Sequence, residues 1–261
     1  MNRRKKTGFL LGMSLLPVLA RASSMHQTIP RPVPQAAHPY TAVLVWHDVV
    51  GHKTVWFDTL TSTFKSQIAE IHKDGFHIIT LPQLLAHLTK GTALPSRPLM
   101  LCFDDNNQGI FRNAFPVLEK YHYPFTLFVH TAYVGVTTSK RHNTWQQLKQ
   151  MQDSGLALVQ SLTASHPENI RLLNNARITR ELDVSRHSIE LHLGTPVYAF
   201  VYPCDVYSWR VAEDVWKAGY KIAFTEDWGN AGASPNMYEI HRYPAILRFQ
   251  QCLQDVIRGH H

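Results

Sequence analysis

Pro98-Leu99-Met100-Leu101-Cys102-Phe103-Asp104-Asp105 is a run of six apolar residues that ends on two carboxylates. A run apolar on both faces reads as a strand buried inside a parallel sheet. The acidic pair then lies at the strand's carboxyl end, where α/β barrels keep their chemistry. Adjacent carboxylates repel each other unless a cation, a proton or hydrogen bonds relieve them. One of the pair can therefore hold a metal while the other acts as a base. A plainer role is open too, since Asp caps helices well and could start a helix over Gln108 to Tyr121.

On either side, short apolar runs alternate with helix-period stretches. Strands are predicted at Ala42 to Trp46, Phe76 to Ile79, Leu99 to Phe103, Phe125 to His130, Leu156 to Gln160, Val197 to Tyr202 and Lys221 to Phe224. Between or after them, Phe64, Ile68 and Ile71 share a helical face. So do Ile178, Leu182 and Ile189, and likewise Phe249, Cys252, Leu253 and Val256. Gly75, Gly155, Gly194 and Gly219 follow helical runs, where a left-handed cap is wanted. This order predicts one α/β domain, a closed or nearly closed barrel of about seven parallel strands. Two more polar loops fall at predicted strand ends: Ser161-Leu162-Thr163-Ala164-Ser165-His166-Pro167 and Tyr202-Pro203-Cys204-Asp205. Each could be ordinary turn chemistry, but three such signals on one sheet point together to a site.

The ends of the chain read differently. Arg3 to Lys6, an apolar run from Gly8 to Ala20, and Ala20-Arg21-Ala22 form a signal peptide over residues 1–22, cleaved after Ala22. An uncleaved anchor is the alternative, although the run is short for a bilayer. Residues 23–40, with Pro30, Pro32 and Pro34, read as a flexible lead-in, and 41–261 as the folded domain. Five of the 26 basic residues lie in the first 22; the rest of the chain carries 21 bases against 19 acids. The formal +7 thus belongs mainly to the leader, and a nucleic-acid partner is not expected. Three cysteines with no C-x-x-C give no support for a zinc ribbon, and at least one thiol is free or pairs with another chain.

Taken in order, Trp46-His47-Asp48, Leu94-Pro95, Cys102-Phe103-Asp104-Asp105, Ser165-His166-Pro167 and Tyr202-Pro203 resemble the polysaccharide deacetylases, the NodB-homology domain of carbohydrate esterase family 4. The resemblance spans about residues 42 to 247. Thr144-Trp145-Gln146-Gln147-Leu148 and Tyr202-Pro203 most resemble the secreted poly-β-1,6-N-acetylglucosamine deacetylases within it.

The resemblance implies a deformed (β/α) barrel holding a divalent metal, zinc first, with cobalt or nickel as alternatives. By the T-F-D-D-G motif, Asp104 would be the base and Asp105 a metal ligand. By H-[ST]-x-x-H-P, His166 would be a second ligand, but the first histidine of that motif is Leu162 here. An isobutyl group donates no electron pair, so one ligand of three is missing. His47, His142, His241, Cys102 and Cys204 are candidates to replace it. Asn106 stands for the motif's glycine and Cys102 for its threonine. Cys204 would offer a backbone N–H to the oxyanion, Tyr202 and Trp228 would stack on sugar, and His241 would protonate the leaving amine. The implied function is extracytoplasmic, metal-dependent removal of N-acetyl groups from a cell-envelope or extracellular aminosugar polysaccharide. The alternative is a non-catalytic glycan-binding relative that has lost its metal site.

Overall fold

The computed structural model describes residues 29–31 and 40–259. The predicted signal peptide, most of the lead-in and His260-His261 lie outside the described residues. Ten strands run in chain order as β1 Ala42–Trp46, β2 Asp48–Val50, β3 Asp58–Leu60, β4 His77–Ile79, β5 Pro98–Phe103, β6 Phe125–Val129, β7 Ala157–Ser161, β8 Ala199–Val201, β9 Ile222–Phe224 and β10 Tyr243–Pro244. Seven α-helices accompany them: α1 Thr61–Lys73, α2 Leu81–Lys90, α3 Phe115–Tyr121, α4 Trp145–Asp153, α5 Asn175–Leu193, α6 Trp209–Lys217 and α7 Ala245–Arg258.

Every pairing in the main sheet is parallel, in the order β10-β1-β5-β6-β7-β8-β9, with β4 added beside β5. β5 is buried along its whole length, as its unbroken apolar run requires. Its first half pairs with β4 and its second half with β6. The sheet curls until β9 meets the chain just before β10, through a parallel bridge of Phe224 to Ile240 and the bond from Thr225 N–H to the Ile240 carbonyl. The architecture is the deformed (β/α) barrel that the sequence predicts.

The helices cover the outside by their apolar stripes. α1 buries Phe64, Ile68 and Ile71 at helical spacing, and Trp46 of β1 donates its indole N–H to Gln67 at 2.9 Å. Capping boxes open α2 (Thr80 with Gln83) and α4 (Thr144 with Gln147). α5 starts on Asn174 and ends on Gly194 in the left-handed conformation. The expected helical stretch from Gln108 to Tyr121 is present, with a π-helical section, Ile110–Ala114, in its middle before α3. The residue before the stretch is Asn107, so neither aspartate is its cap.

Two features lie outside the predicted pattern. β2 and β3 form a separate parallel pair beside the barrel, and the two-residue β10 is too short for a periodic signal. At the other end, Ile29 is buried and the Pro30 carbonyl accepts a bond from Met237 N–H at 2.8 Å.

Candidate active site

Barrel geometry sends the chain out of each strand at the same end, so residues far apart in sequence meet there. His47 follows β1, Asp104 and Asp105 follow β5, His130 follows β6, Leu162 and His166 follow β7, Cys204 follows β8 and Glu226 follows β9. A cavity of about 350 Å³ is lined by His47, Trp56, Phe57, Asp104, Asp105, Leu162, His166, Tyr202, Cys204, Asp205 and Glu226. A second, of about 340 Å³, shares Phe57, Asp105 and His166 and adds His130, Tyr133, Lys140, His142 and Glu168. Asp105 and His166 thus stand on the wall common to both.

The backbone is strained here. Eight described non-glycine residues have positive φ, and six of them are Asp105, Asn106, Thr163, His166, Cys204 and Asp205. Such conformations cost energy and persist where surrounding bonds impose them. Around His166 those bonds are visible. Glu181 of α5 accepts from the N–H groups of Ala164 and Ser165 at 3.0 and 2.8 Å, and Thr163 Oγ1 accepts from His166 N–H at 3.0 Å. Asn106 takes a left-handed conformation that Asn tolerates better than most residues, and its buried amide pairs with that of Asn143. Replacement of the motif's glycine therefore leaves the turn intact.

Asp104 and Asp105 do different jobs. Asp104 is buried and accepts two bonds from Arg242, Nη1 to Oδ1 and Nη2 to Oδ2, both 2.9 Å. Arg242 is equally buried, donates Nε–H to the Thr225 carbonyl, and sits beside the rings of Phe128 and Phe224. Burial raises the Asp104 carboxyl above the ordinary carboxylate range, and the guanidinium opposes that rise. Breaking a buried pair by removing one partner costs about 3–5 kcal/mol, so the pair locks the carboxylate in place. Each oxygen keeps a further lone pair for a proton. Asp105 instead faces His166, with Oδ1 3.6 Å from Nε2.

His47 lies opposite, its Nε2 3.2 Å from Glu226 Oε1. Burial alone would lower its pKa, but the bond to Glu226 and the charges of Asp105 and Asp104 outweigh burial and hold it at about 9. The ring is therefore protonated at neutral pH. His130 is the opposite case. Burial lowers it to about 4 despite Asp105, so it stays neutral. Its Nδ1 is buried without a hydrogen-bond partner among the described residues.

Not every expected residue joins the site. Tyr202 forms a wall, with its hydroxyl donated to the Tyr238 carbonyl at 2.8 Å. Trp228 lines neither cavity; its ring lies under the Arg248 guanidinium at 4.6 Å. The aromatic at the mouth is Trp56, 66% exposed and edge-on to Phe57. His241 also lines neither cavity, and its ring packs against Gly229, where a Cβ would come within 2.9 Å of Nδ1. Its neighbour Arg242 is the residue that reaches Asp104. Cys102 lies beneath the site, its thiol donated to the Leu44 carbonyl at 3.3 Å.

Two donor sets could hold a metal. His47, Asp104 and Glu226 have ligand atoms within 4.8 Å of one another. However, both Asp104 oxygens face the Arg242 guanidinium and His47 is protonated, so a dication there meets positive charge on two sides. Asp105 and His166 hydrogen-bond no Lys or Arg side chain among the described residues, although the His47 charge also acts on Asp105. Their 3.6 Å separation is close to the roughly 3.3 Å between two atoms bound at about 2 Å on a tetrahedral ion. Leu162, 2% exposed, occupies the cavity wall beside them and adds no donor.

A poly-β-1,6-N-acetyl-D-glucosamine N-deacetylase of Staphylococcus epidermidis is 34% identical over 125 residues, 47% of this chain and 42% of that one. The enzyme of the same name from Staphylococcus aureus is 27% identical over 208 residues, covering 76% and 70%. The chain spans 62% of the length of another curated relative, from Bacillus subtilis, and only 42% of the S. epidermidis enzyme. In fold it is similar to IcaB from Ammonifex degensii, with a TM-score of 0.74 at 23% identity over 84% of this chain and 99% of that one. The sequence pattern of the family described as Polysaccharide deacetylase matches residues 91–223, just over half of the chain, and takes in the Asp pair, His166 and Tyr202-Pro203. The chain belongs to the polysaccharide deacetylase family.

Proposed function

We propose that this protein is an exported, metal-dependent N-deacetylase of an aminosugar polymer of the poly-β-1,6-N-acetylglucosamine type. The observation that carries the reading is the placing of Asp104, Asp105, His47 and His166 around one cavity. The names of the staphylococcal relatives support the substrate class.

Asp105 and His166 would hold the ion, which when bound supplies Lewis acidity to the amide carbonyl and the attacking water. Asp104 accepts the proton that water loses as its oxygen bonds to the acetyl carbon; a base lifted toward the working pH does this better than an ordinary carboxylate. The backbone N–H of Cys204, a residue of the cavity wall, would donate to the carbonyl oxygen as it gains charge. As the C–N bond breaks, protonated His47 passes its proton to the amine, and acetate and the free amino sugar leave. In this reading His47, rather than His241, is the acid, because it faces the cavity already charged. Trp56 offers an open ring at the mouth for a sugar face.

Leu162 favours a second reading, a glycan-binding relative without turnover. Acetate release from a β-1,6-linked N-acetylglucosamine oligomer separates the two. The deacetylase reading expects release that stops on chelation and returns with zinc, cobalt or nickel. Oligomer binding with no acetate under any of the three metals would establish the binder instead.

A further inference from the structure

We infer that the ligand lost at Leu162 is supplied across the sheet by His130, making the metal set Asp105, His166 and His130. The inference rests on the metal-dependent reading above. It starts from register. β6 and β7 pair in parallel as far as Val129 opposite Ser161, and Leu162 N–H then bonds to the Val129 carbonyl at 2.9 Å, so His130 and Leu162 are the first residues to leave these two adjacent strands. Adjacent strands lie about 4.8 Å apart. A donor at 130 is therefore the nearest lateral substitute for one at 162.

His130 is also a histidine without other employment. It is 5% exposed, lines the cavity that holds Asp105 and His166, and its buried Nδ1 has no partner among the described residues. A buried polar nitrogen left unpaired carries an uncompensated desolvation cost, which an ion would recover. Its ring centre is 5.2 Å from that of His166. Two imidazoles on one tetrahedral zinc, with Zn–N of about 2.0–2.1 Å, have ring centres roughly 5 Å apart. The ligand atoms of Asp105, His166 and His130 do not all lie within 4.8 Å of one another as they stand, so His130 must turn about its side-chain bonds to complete the set. The other candidates fit less well. His142 turns Nδ1 to the Val136 carbonyl at 3.1 Å, His47 is engaged by Glu226, and Cys102 and His241 line neither cavity.

The test is calorimetric titration of the metal-free full chain with zinc, beside the variants His130→Phe and His130→Phe/Leu162→His. Phenylalanine keeps a ring and removes the donors. The expected result is binding by the parent, at least about tenfold weaker binding by the single variant, and recovery in the double variant. Parent-like affinity in folded His130→Phe overturns the inference and leaves the metal-dependent reading standing. Absence of zinc binding by the parent overturns both. Should the variants fail to fold, imidazole ¹⁵N spectra of the unaltered protein decide. Zinc-induced shifts at both His130 and His166 support the assignment, and a shift at His166 without one at His130 overturns it.

Discussion

Asp104 and Asp105 are identical in covalent chemistry and adjacent in sequence, yet their surroundings give them separate tasks. Arg242 occupies the inner face of Asp104, while the positive φ of Asp105 turns the second carboxylate toward His166. The same logic applies to His47, whose charge is set by Glu226 from the far side of the barrel. An acid works while it keeps its proton, so activity should fall as pH rises through about 9. Glu226→Gln removes the carboxylate that holds the proton on His47, and the falling limb should then move toward the ordinary imidazole value. A pH–rate profile of the variant checks this. An unmoved alkaline limb would mean that a different group donates the proton.

At the level of elements, the pair β2–β3 serves as a buttress for the loop that carries His142. Lys140 from that loop bonds Asp48 of β2 at 2.7 Å and also Asp58 of β3. β2 in turn presses on the π-helical turn after Gly109. A Cβ at Gly109 would lie 2.1 Å from Asp48 Oδ1 and 2.3 Å from the Val49 carbonyl oxygen, one of them rigid backbone. Gly109→Ala should therefore cost about 1–3 kcal/mol by overpacking, measured by urea denaturation. A neutral result would show that β2 can yield without disturbing the turn. β1, β5, β6, β7, β8 and β9 were legible as apolar runs because strands buried on both faces need nothing else, whereas β4 exposes His77. β2 and β3 each open on an aspartate among polar neighbours and β10 spans two residues, so no apolar run marks them.

For the whole molecule, the basic stretch, the apolar run and Ala20-Arg21-Ala22 lead to a prediction about place. The mature chain should begin at Ser23 outside the cytoplasm, and N-terminal sequencing of protein from the cell envelope checks it. An intact Met1 on protein from the cytoplasm would remove the export part of the proposed function. No helix among the described residues is long and apolar enough to cross a membrane.

Local order along the chain determined the barrel, because burial pattern and capping are properties of neighbouring residues. It also marked the strand ends that hold chemistry: Asp104-Asp105, the loop to His166, and Tyr202-Pro203-Cys204-Asp205 interrupt apolar runs with polar groups. Tertiary structure alone decided which side chains share a cavity. Arg242 sits 138 positions from Asp104, and no periodicity connects them. His130 reads in sequence as the last residue of a strand, and only the pairing of β6 with β7 makes it leave the sheet next to the strand that ends before Leu162. His241 and Trp228 are as polar or as aromatic as their expected roles demand, but adjacent side chains leave the backbone in different directions. When Arg242 turned inward to the carboxylate, His241 was left against Gly229. Chemical type is written residue by residue, whereas proximity is fixed by closure of the sheet.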